Sequence, residues 1–156
     1  MSGKEPHEKC ILVVEDSYQG LVLITSLLEE NGLGGKFRAV RDGVHAIEYL
    51  RARRRRVSDR EPGVVFLDLQ LPHKEGLEIL RFMKSHPKLQ DIPVIVFSNS
   101  NDPADQREAQ RLGAHSFHIK PTRFEEFKEA FVTLACFWAK QLEKPPQDGQ
   151  KCISAA

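Results

Sequence analysis

In this 156-residue chain, five polar residues stand where short apolar runs end. Glu15 and Asp16 close Cys10-Ile11-Leu12-Val13-Val14, Asp68 closes Val64-Val65-Phe66-Leu67, and Ser98 closes Pro93 to Phe97. Lys120 follows a weaker run, His115 to Ile119. If these runs are parallel strands of one sheet, the five side chains gather at one rim. Three carboxylates in one place repel each other, and a hard divalent cation relieves that repulsion. Mg²⁺ suits such a site because it takes one or two carboxylates, keeps several waters and uses phosphate oxygens as remaining ligands. Lys120 adds a compact positive charge that can meet a phosphate. Ser98 offers a hydroxyl, and an Asp in this setting can act as a nucleophile and form an aspartyl phosphate.

Elements must be found that bring these residues together. Continuous runs of Val, Ile and Leu fit strands buried on both faces of a parallel sheet. Lys36 to Val40 is a further, weaker strand candidate. Between the strands lie helical patterns. Ser17 to Asn31 carries Leu21, Ile24 and Leu28 on one face and stops at Gly32. Gly43 to Arg55 carries Val44, Ile47 and Leu50, and Lys74 to Ser85 carries Leu77, Leu80 and Met83. Asp102 to Leu112 has an Asp cap, Pro103 at its first helical position and Gly113 after its end. It offers only Ala104, Ala109 and Leu112 for burial, so it is expected to be weakly held. Arg123 to about Leu142 carries the stripe Phe124, Phe127, Phe131, Leu134 and Trp138. Five strands alternating with five helices predict a doubly wound α/β sheet, and such sheets bind ligands at the carboxyl ends of their strands.

Composition narrows the class. Lys and Arg number 23 against 22 Asp and Glu, so the net charge of +1 gives no global field favouring nucleic acid or acidic membrane. The hydrophobic share is 40%, as in a folded globular domain. No apolar run is long enough to span a bilayer, and the polar start, Met1 to Lys9, does not resemble a secretory signal. The expectation is a cytoplasmic protein. Cys10, Cys136 and Cys152 are odd in number and lack CxxC spacing, so neither a disulfide frame nor a zinc site is indicated.

With these residues in place, the sequence resembles the response-regulator receiver domain of two-component signalling, from about Lys9 to Trp138. The resemblance rests on Glu15-Asp16, on Asp68 within Leu67-Asp68-Leu69-Gln70-Leu71-Pro72 followed by Gly76, on Ser98, and on Lys120-Pro121. It implies the strand order 2-1-3-4-5. It further implies that Asp68 accepts a phosphoryl group from a histidine kinase. Asp16 and Asp68, with the backbone carbonyl of Gln70, would hold Mg²⁺, and Glu15 would bind a metal-coordinated water or hydrogen-bond nearby. Lys120 would pair with Asp68 at rest and with the phosphoryl oxygen afterwards, and the Lys120-Pro121 bond would be cis. Ser98 would bond the phosphoryl group while the aromatic at Phe117 moves inward. Ser in place of Thr and Phe in place of Tyr are departures from the commoner pattern. Such a protein is a switch that catalyses its own phosphorylation and dephosphorylation, not a separate enzyme. Gln70 stands where haloacid dehalogenase-type enzymes carry a second Asp.

The segment Leu50 to Val64, the strand Pro93 to Phe97 and the Phe137-Trp138 ending further resemble small regulators paired with bacterial phytochrome kinases, which homodimerise through the last helix and strand. Phe137 points about 100° away from Trp138 and is not needed for the packing stripe, so these two residues are the candidate dimer contact. The organisation expected is a polar tail over 1–8, a receiver over 9–142 and a second tail over 143–156, too short for a DNA-binding module. The alternative is an adaptor on the same fold that works without phosphorylation. The basic run Arg51 to Arg56 is read as a helix end meeting its negative pole, not as a nucleic-acid patch. His115 and His118 are expected on opposite faces of their strand.

Overall fold

The computed structural model describes residues 9–52, 61–71 and 75–143. In chain order the elements are β1 (Cys10–Val14), α1 (Tyr18–Glu30), β2 (Phe37–Val40), α2 (Gly43–Arg51) and β3 (Pro62–Leu67). Then follow α3 (Glu75–Ser85), β4 (Val94–Ser98), α4 (Pro103–Arg111), β5 (Ser116–Ile119) and α5 (Phe124–Glu143). The strands form one sheet in the order β2-β1-β3-β4-β5, and every pairing is parallel. This is the doubly wound sheet that the sequence predicts, in the order 2-1-3-4-5 that the family resemblance implies.

Side-chain alternation along the strands divides the core into two layers. Leu12, Val14, Val65, Leu67, Val94 and Val96 pack toward α2 and α3, where Leu50, Leu80 and Met83 meet them. Ile11, Val13, Val64, Phe66, Ile95 and Phe97 pack toward α1 and α5. Phe131 is the centre of that second layer. Its ring lies edge-on to Phe66 at 5.8 Å and parallel to Phe127 at 5.9 Å. Burying such a ring contributes about 1.5–3 kcal/mol, with roughly 0.5–1.5 kcal/mol more for each well-placed aromatic pair.

The helix ends follow local chemistry. Ser17 Oγ accepts from the Gly20 amide at 3.1 Å, Asp42 Oδ1 from the His45 amide at 2.8 Å, and Asp102 Oδ1 from the Ala104 amide at 2.9 Å. These side chains satisfy amides that the first turn leaves without carbonyl partners. Gly32 and Gly113 adopt φ of +77° and +97° just past α1 and α4, a conformation only glycine takes without strain.

Several expectations need correction. The helix expected over Gly43–Arg55 ends at Arg51, because Ala52 turns to an extended conformation. The rest of the basic run lies outside the described residues, as do most of the segment joining α2 to β3 and the proposed tails apart from Glu143. Along α5 the buried positions are Phe127, Phe131, Ala135 and Ala139. Phe124 is 52% exposed, while Leu134 and Trp138 are only half-buried. Small residues let the helix axis approach the sheet, so alanines take places that larger side chains were expected to fill. His115 and His118 do not face apart. His115 precedes β5 and packs on Trp138 of α5 at 5.2 Å, while His118 lies against Phe97 on the same side of the sheet.

At the rim opposite the carboxylates, Gly63 is an extra residue in β3: Cys10 pairs with Pro62 and Ile11 with Val64. A Cβ on Gly63 would lie 2.4 Å from Leu142 and 2.8 Å from Lys9, so the last turn of α5 and the approach to β1 both rest on bare backbone. An ion pair between Lys36 and Glu143 ties the same turn to the start of β2.

Candidate functional site

Parallel pairing delivers the five polar residues to one rim. Backbone bonds fix the rim's geometry: the Glu15 amide bonds the Val40 carbonyl at 3.0 Å, the Asp68 amide bonds Val14 at 3.2 Å, and the Lys120 amide bonds Ser98 at 2.8 Å. Glu15 is 4% exposed, Asp68 5%, and Ser98 fully buried. Asp16 is partly buried. One carboxylate oxygen from each of Glu15, Asp16 and Asp68 lies within 4.8 Å of the others.

Lys120 spans this cluster. Its ammonium donates to Glu15 Oε2 at 2.7 Å and to Asp68 Oδ2 at 2.9 Å, with the lysine side chain only 11% exposed. The expected pairing with Asp68 is therefore present, and Glu15 is a second partner. Asp68 Oδ1 accepts the Gln70 amide at 2.9 Å. Both oxygens of Asp68 are thus engaged and its carboxylate is oriented.

Electrostatics set the demand for a cation. Burial pushes the Glu15 carboxyl above the ordinary glutamate range, against the pull of Lys120 and helped by the neighbouring charge of Asp68. Burial works against the Lys120 charge as well, but Asp68 and Glu15 overcome it and hold the ammonium above the ordinary lysine range. Three carboxylates face one ammonium, so full ionisation leaves two negative charges unmatched. Oxygen-only donors with that surplus fit a hard divalent ion such as Mg²⁺.

Two glycines make room for the cluster. A Cβ on Gly76, at the start of α3, would lie 2.6 Å from the Leu69 Cα and 2.7 Å from the Asp68 carbonyl. A Cβ on Gly20 would meet Glu15 Oε1 at 2.9 Å. A surface cavity of about 330 Å³ opens beside the cluster, bordered by Glu15, Ser17, Asn99, Lys120 and Thr122. A larger one of about 780 Å³ runs along β2 and α2 and meets the cluster only at Asp16. The smaller opening is the one that reaches the Glu15–Lys120 pair.

The sequence-predicted residues fall into two groups. Glu15, Asp16, Asp68 and Lys120 are brought together by direct contact or proximity. Ser98 and Phe117 stand on β4 and β5, with Phe117 half-buried against the α2–α3 layer. Phe137 is 53% exposed and lies edge-on to Trp138 at 5.5 Å, on the outer part of α5 and remote in the fold from the acidic rim. The Lys120-Pro121 bond is trans. X-Pro isomers differ by only about 0.5–1 kcal/mol, and this fold places Lys120 on both carboxylates with the trans form. Gly20 was not singled out from the sequence as part of the site's support.

A sequence model of the response regulator receiver domain matches residues 11–132. The chain belongs to that family. Among relatives of the receiver is the "Probable methanogenesis regulatory protein FilR2" of Methanothrix harundinacea, 35% identical over 82% of each chain. Response regulator Rcp1 of Synechocystis sp. is 28% identical over 93% of this receiver and 99% of its own length. Its Mn²⁺-bound crystal structure superposes with a TM-score of 0.76, covering 88% of this chain and 99% of that one. The phosphorylated cyanobacterial phytochrome response regulator RcpA superposes at 0.77 with 30% identity, covering 90% and 99%. The receiver is thus a two-component response regulator domain with phytochrome-associated relatives. Among its described residues no helix is long and apolar enough to cross a membrane.

Proposed function

We propose that this receiver is a phosphorylation-controlled switch in which Asp68 takes a phosphoryl group from the phosphohistidine of a histidine kinase. The observation that carries the reading is the Lys120 ammonium seated between Asp68 and Glu15, with Asp16 completing an acidic cluster of surplus negative charge. In the transfer an Asp68 oxygen attacks phosphorus, the phosphorus–nitrogen bond breaks, and the departing imidazole keeps the electron pair. Positioning and charge neutralisation supply most of the catalysis in such a step. Lys120 is placed to follow the charge from the carboxylate onto the phosphoryl oxygens. The Gln70 amide holds the second carboxylate oxygen in place.

Asp16, Asp68 and the Gln70 backbone carbonyl are the proposed Mg²⁺ ligands, with Glu15 bonding a metal-held water. Mg²⁺, when bound, neutralises charge between the carboxylates and the incoming phosphoryl oxygens. Phosphorylation adds nearly two negative charges. Ser98 is proposed to turn toward them while Phe117 moves inward. The protein acts as substrate and switch, catalysing its own phosphorylation and dephosphorylation. The receiver is proposed to work in the cytoplasm, and a histidine kinase, in the light of the RcpA and Rcp1 likeness a bacteriophytochrome, is the proposed donor.

The chain's organisation is proposed as a receiver over residues 9–142 flanked by polar tails. A second copy is proposed to cover Phe137 and Trp138, and exposed aromatics of this kind are typical of interface centres. Light scattering on the wild type and on Phe137→Ser tests that contact: a dimer lost in the variant supports it, and a monomeric wild type at high concentration removes it.

Intact-mass spectrometry after incubation with acetyl phosphate tests the main reading. The samples are wild type with Mg²⁺, wild type with chelator, and Asp68→Asn with Mg²⁺. A single phosphoryl gain in the first alone is the expected result. No gain there, nor with purified histidine kinases, would favour the adaptor that works without phosphorylation.

A further inference from the structure

The turn between β4 and α4 contains a hydrogen-bond relay that begins at Ser98. The fully buried Ser98 hydroxyl oxygen accepts from the Ser100 amide at 3.3 Å. Ser100 is itself buried, at 7% exposed. Its hydroxyl donates to Asp105 Oδ2 in the first turn of α4 and accepts from the Asp102 amide at 3.4 Å. A serine hydroxyl has one proton and two lone pairs, so the Ser100 proton is committed to Asp105. Among the described residues the Ser98 proton meets no acceptor, which leaves it to serve an incoming oxyanion.

The helix at the far end of this relay is lightly anchored. Ala109 is the one residue of α4 that is buried, and Ala104, expected to be so, is exposed. The first turn of α4 therefore depends on polar attachments, and Asp105 is the one that reaches a buried partner. A carboxylate is also electrostatically welcome at a helix start, so the attachment is not at odds with the helix itself.

We propose that Asp105 is a positioning residue for phosphoryl acceptance: through Ser100 it holds the Ser98 hydroxyl in its resting place and ties that place to the first turn of α4. The proposal rests on the reading of Asp68 as phosphoacceptor. When Ser98 turns toward a phosphoryl oxygen, the Ser100 amide loses its acceptor and the turn must shift. The Ser100–Asp105 bond resists that shift. Removing the bond makes the phosphoryl-bound state easier to reach.

The test is calorimetric titration with beryllofluoride and Mg²⁺, a mimic of the phosphoryl group, on wild type, Asp105→Ala, Ser100→Ala, the double variant, Asp105→Asn and Asp68→Asn. Each alanine variant is expected to bind roughly three- to tenfold tighter, the range a single net hydrogen bond can supply. The double variant should be no tighter than either single one, since both break one contact. Asp105→Asn keeps an oxygen that accepts from Ser100 and should stay near wild type. An Asp105→Ala protein with a lower melting temperature but unchanged affinity would reduce Asp105 to a helix-start charge and overturn the proposal. Additive effects of the two alanines, or an asparagine variant that behaves like alanine, would overturn it too. If the wild type fails to bind, or Asp68→Asn binds equally well, the phosphoacceptor reading falls and the positioning role falls with it.

Discussion

Arg81 on α3 and Glu108 on α4 lie 3.6 Å apart, with Glu108 also gripped by Arg111 one turn along its own helix at 2.6 Å. The Arg111 pair lies within the helix, so the Arg81 pair and one buried alanine are most of what fastens the body of α4 to its neighbours. Exposed ion pairs are screened and contribute little. Local opening is cheapest where buried apolar contacts are few. In hydrogen exchange at neutral pH, the amides of α4 are expected to exchange well ahead of those of β1 and β3. Equal protection across all these elements would contradict that picture.

Lys120 is the counter-charge of a buried acidic cluster. Replacing it by Ala leaves Glu15 and Asp68 without it in a site that water barely reaches. Breaking a buried pair in this way typically costs about 3–5 kcal/mol. The Lys120→Ala protein is expected to melt at lower temperature in chelator and to recover part of the loss when Mg²⁺ is added. Melting curves with and without Mg²⁺ check this, and a variant indifferent to the ion would speak against the carboxylates as its ligands.

Gly76 and Gly20 lend themselves to a paired comparison. At Gly76 an added methyl strikes backbone of Leu69 and Asp68, which cannot swing aside. Gly76→Ala should lose roughly 1–3 kcal/mol of stability, as overpacking does, and should bind Mg²⁺ more weakly. At Gly20 the obstacle is the far end of the Glu15 side chain, and alanine suits a helix better than glycine by about 1 kcal/mol. Gly20→Ala should therefore fold as well as the wild type while disturbing the Glu15–Lys120 contact. Chemical denaturation and Mg²⁺ titration separate the two outcomes.

Burial holds the His118 imidazole below its ordinary value of 6.5. Its neighbours are the Phe97 ring and the Ser116 hydroxyl, which supply no compensating negative charge. Below about pH 6.5 the unfolded chain takes up a proton here more readily than the folded one. The contribution of His118 to stability is thus constant above that pH and declines from there down to the lowered native value. His118→Phe is expected to narrow the difference in melting temperature between pH 7.5 and pH 5.5. An unchanged difference would show that other groups govern this range.

The sequence made the sheet readable because its central strands are buried on both faces and therefore appear as unbroken apolar runs. Helix ends were readable where one residue has one reason to be there, as at Asp102-Pro103, Gly32 and Gly113. The acidic cluster was readable because parallel strands place their final residues together. What escaped depended on close approach or distant partners. Ala135 and Ala139 are buried because they are small, and size alone gives no periodic signal against Leu134 and Trp138. Glu15 as a partner of Lys120 joins residues 105 positions apart, and nothing local announces it. The relay from Ser98 to Asp105 runs from a Ser-Asn-Ser-Asn stretch that reads as a turn into the first turn of the predicted helix, and nothing in the spacing announces the Ser100–Asp105 contact. The two histidines were misplaced because alternation was applied one residue before β5 begins.

At Gly63 the start of β1 and the last turn of α5 share one patch of bare backbone, on the rim away from the acidic cluster. Lys9, exposed beside that patch, can therefore serve as a handle. A fluorescent reporter or a surface tether joined there would hang from the side of the molecule away from the acidic rim.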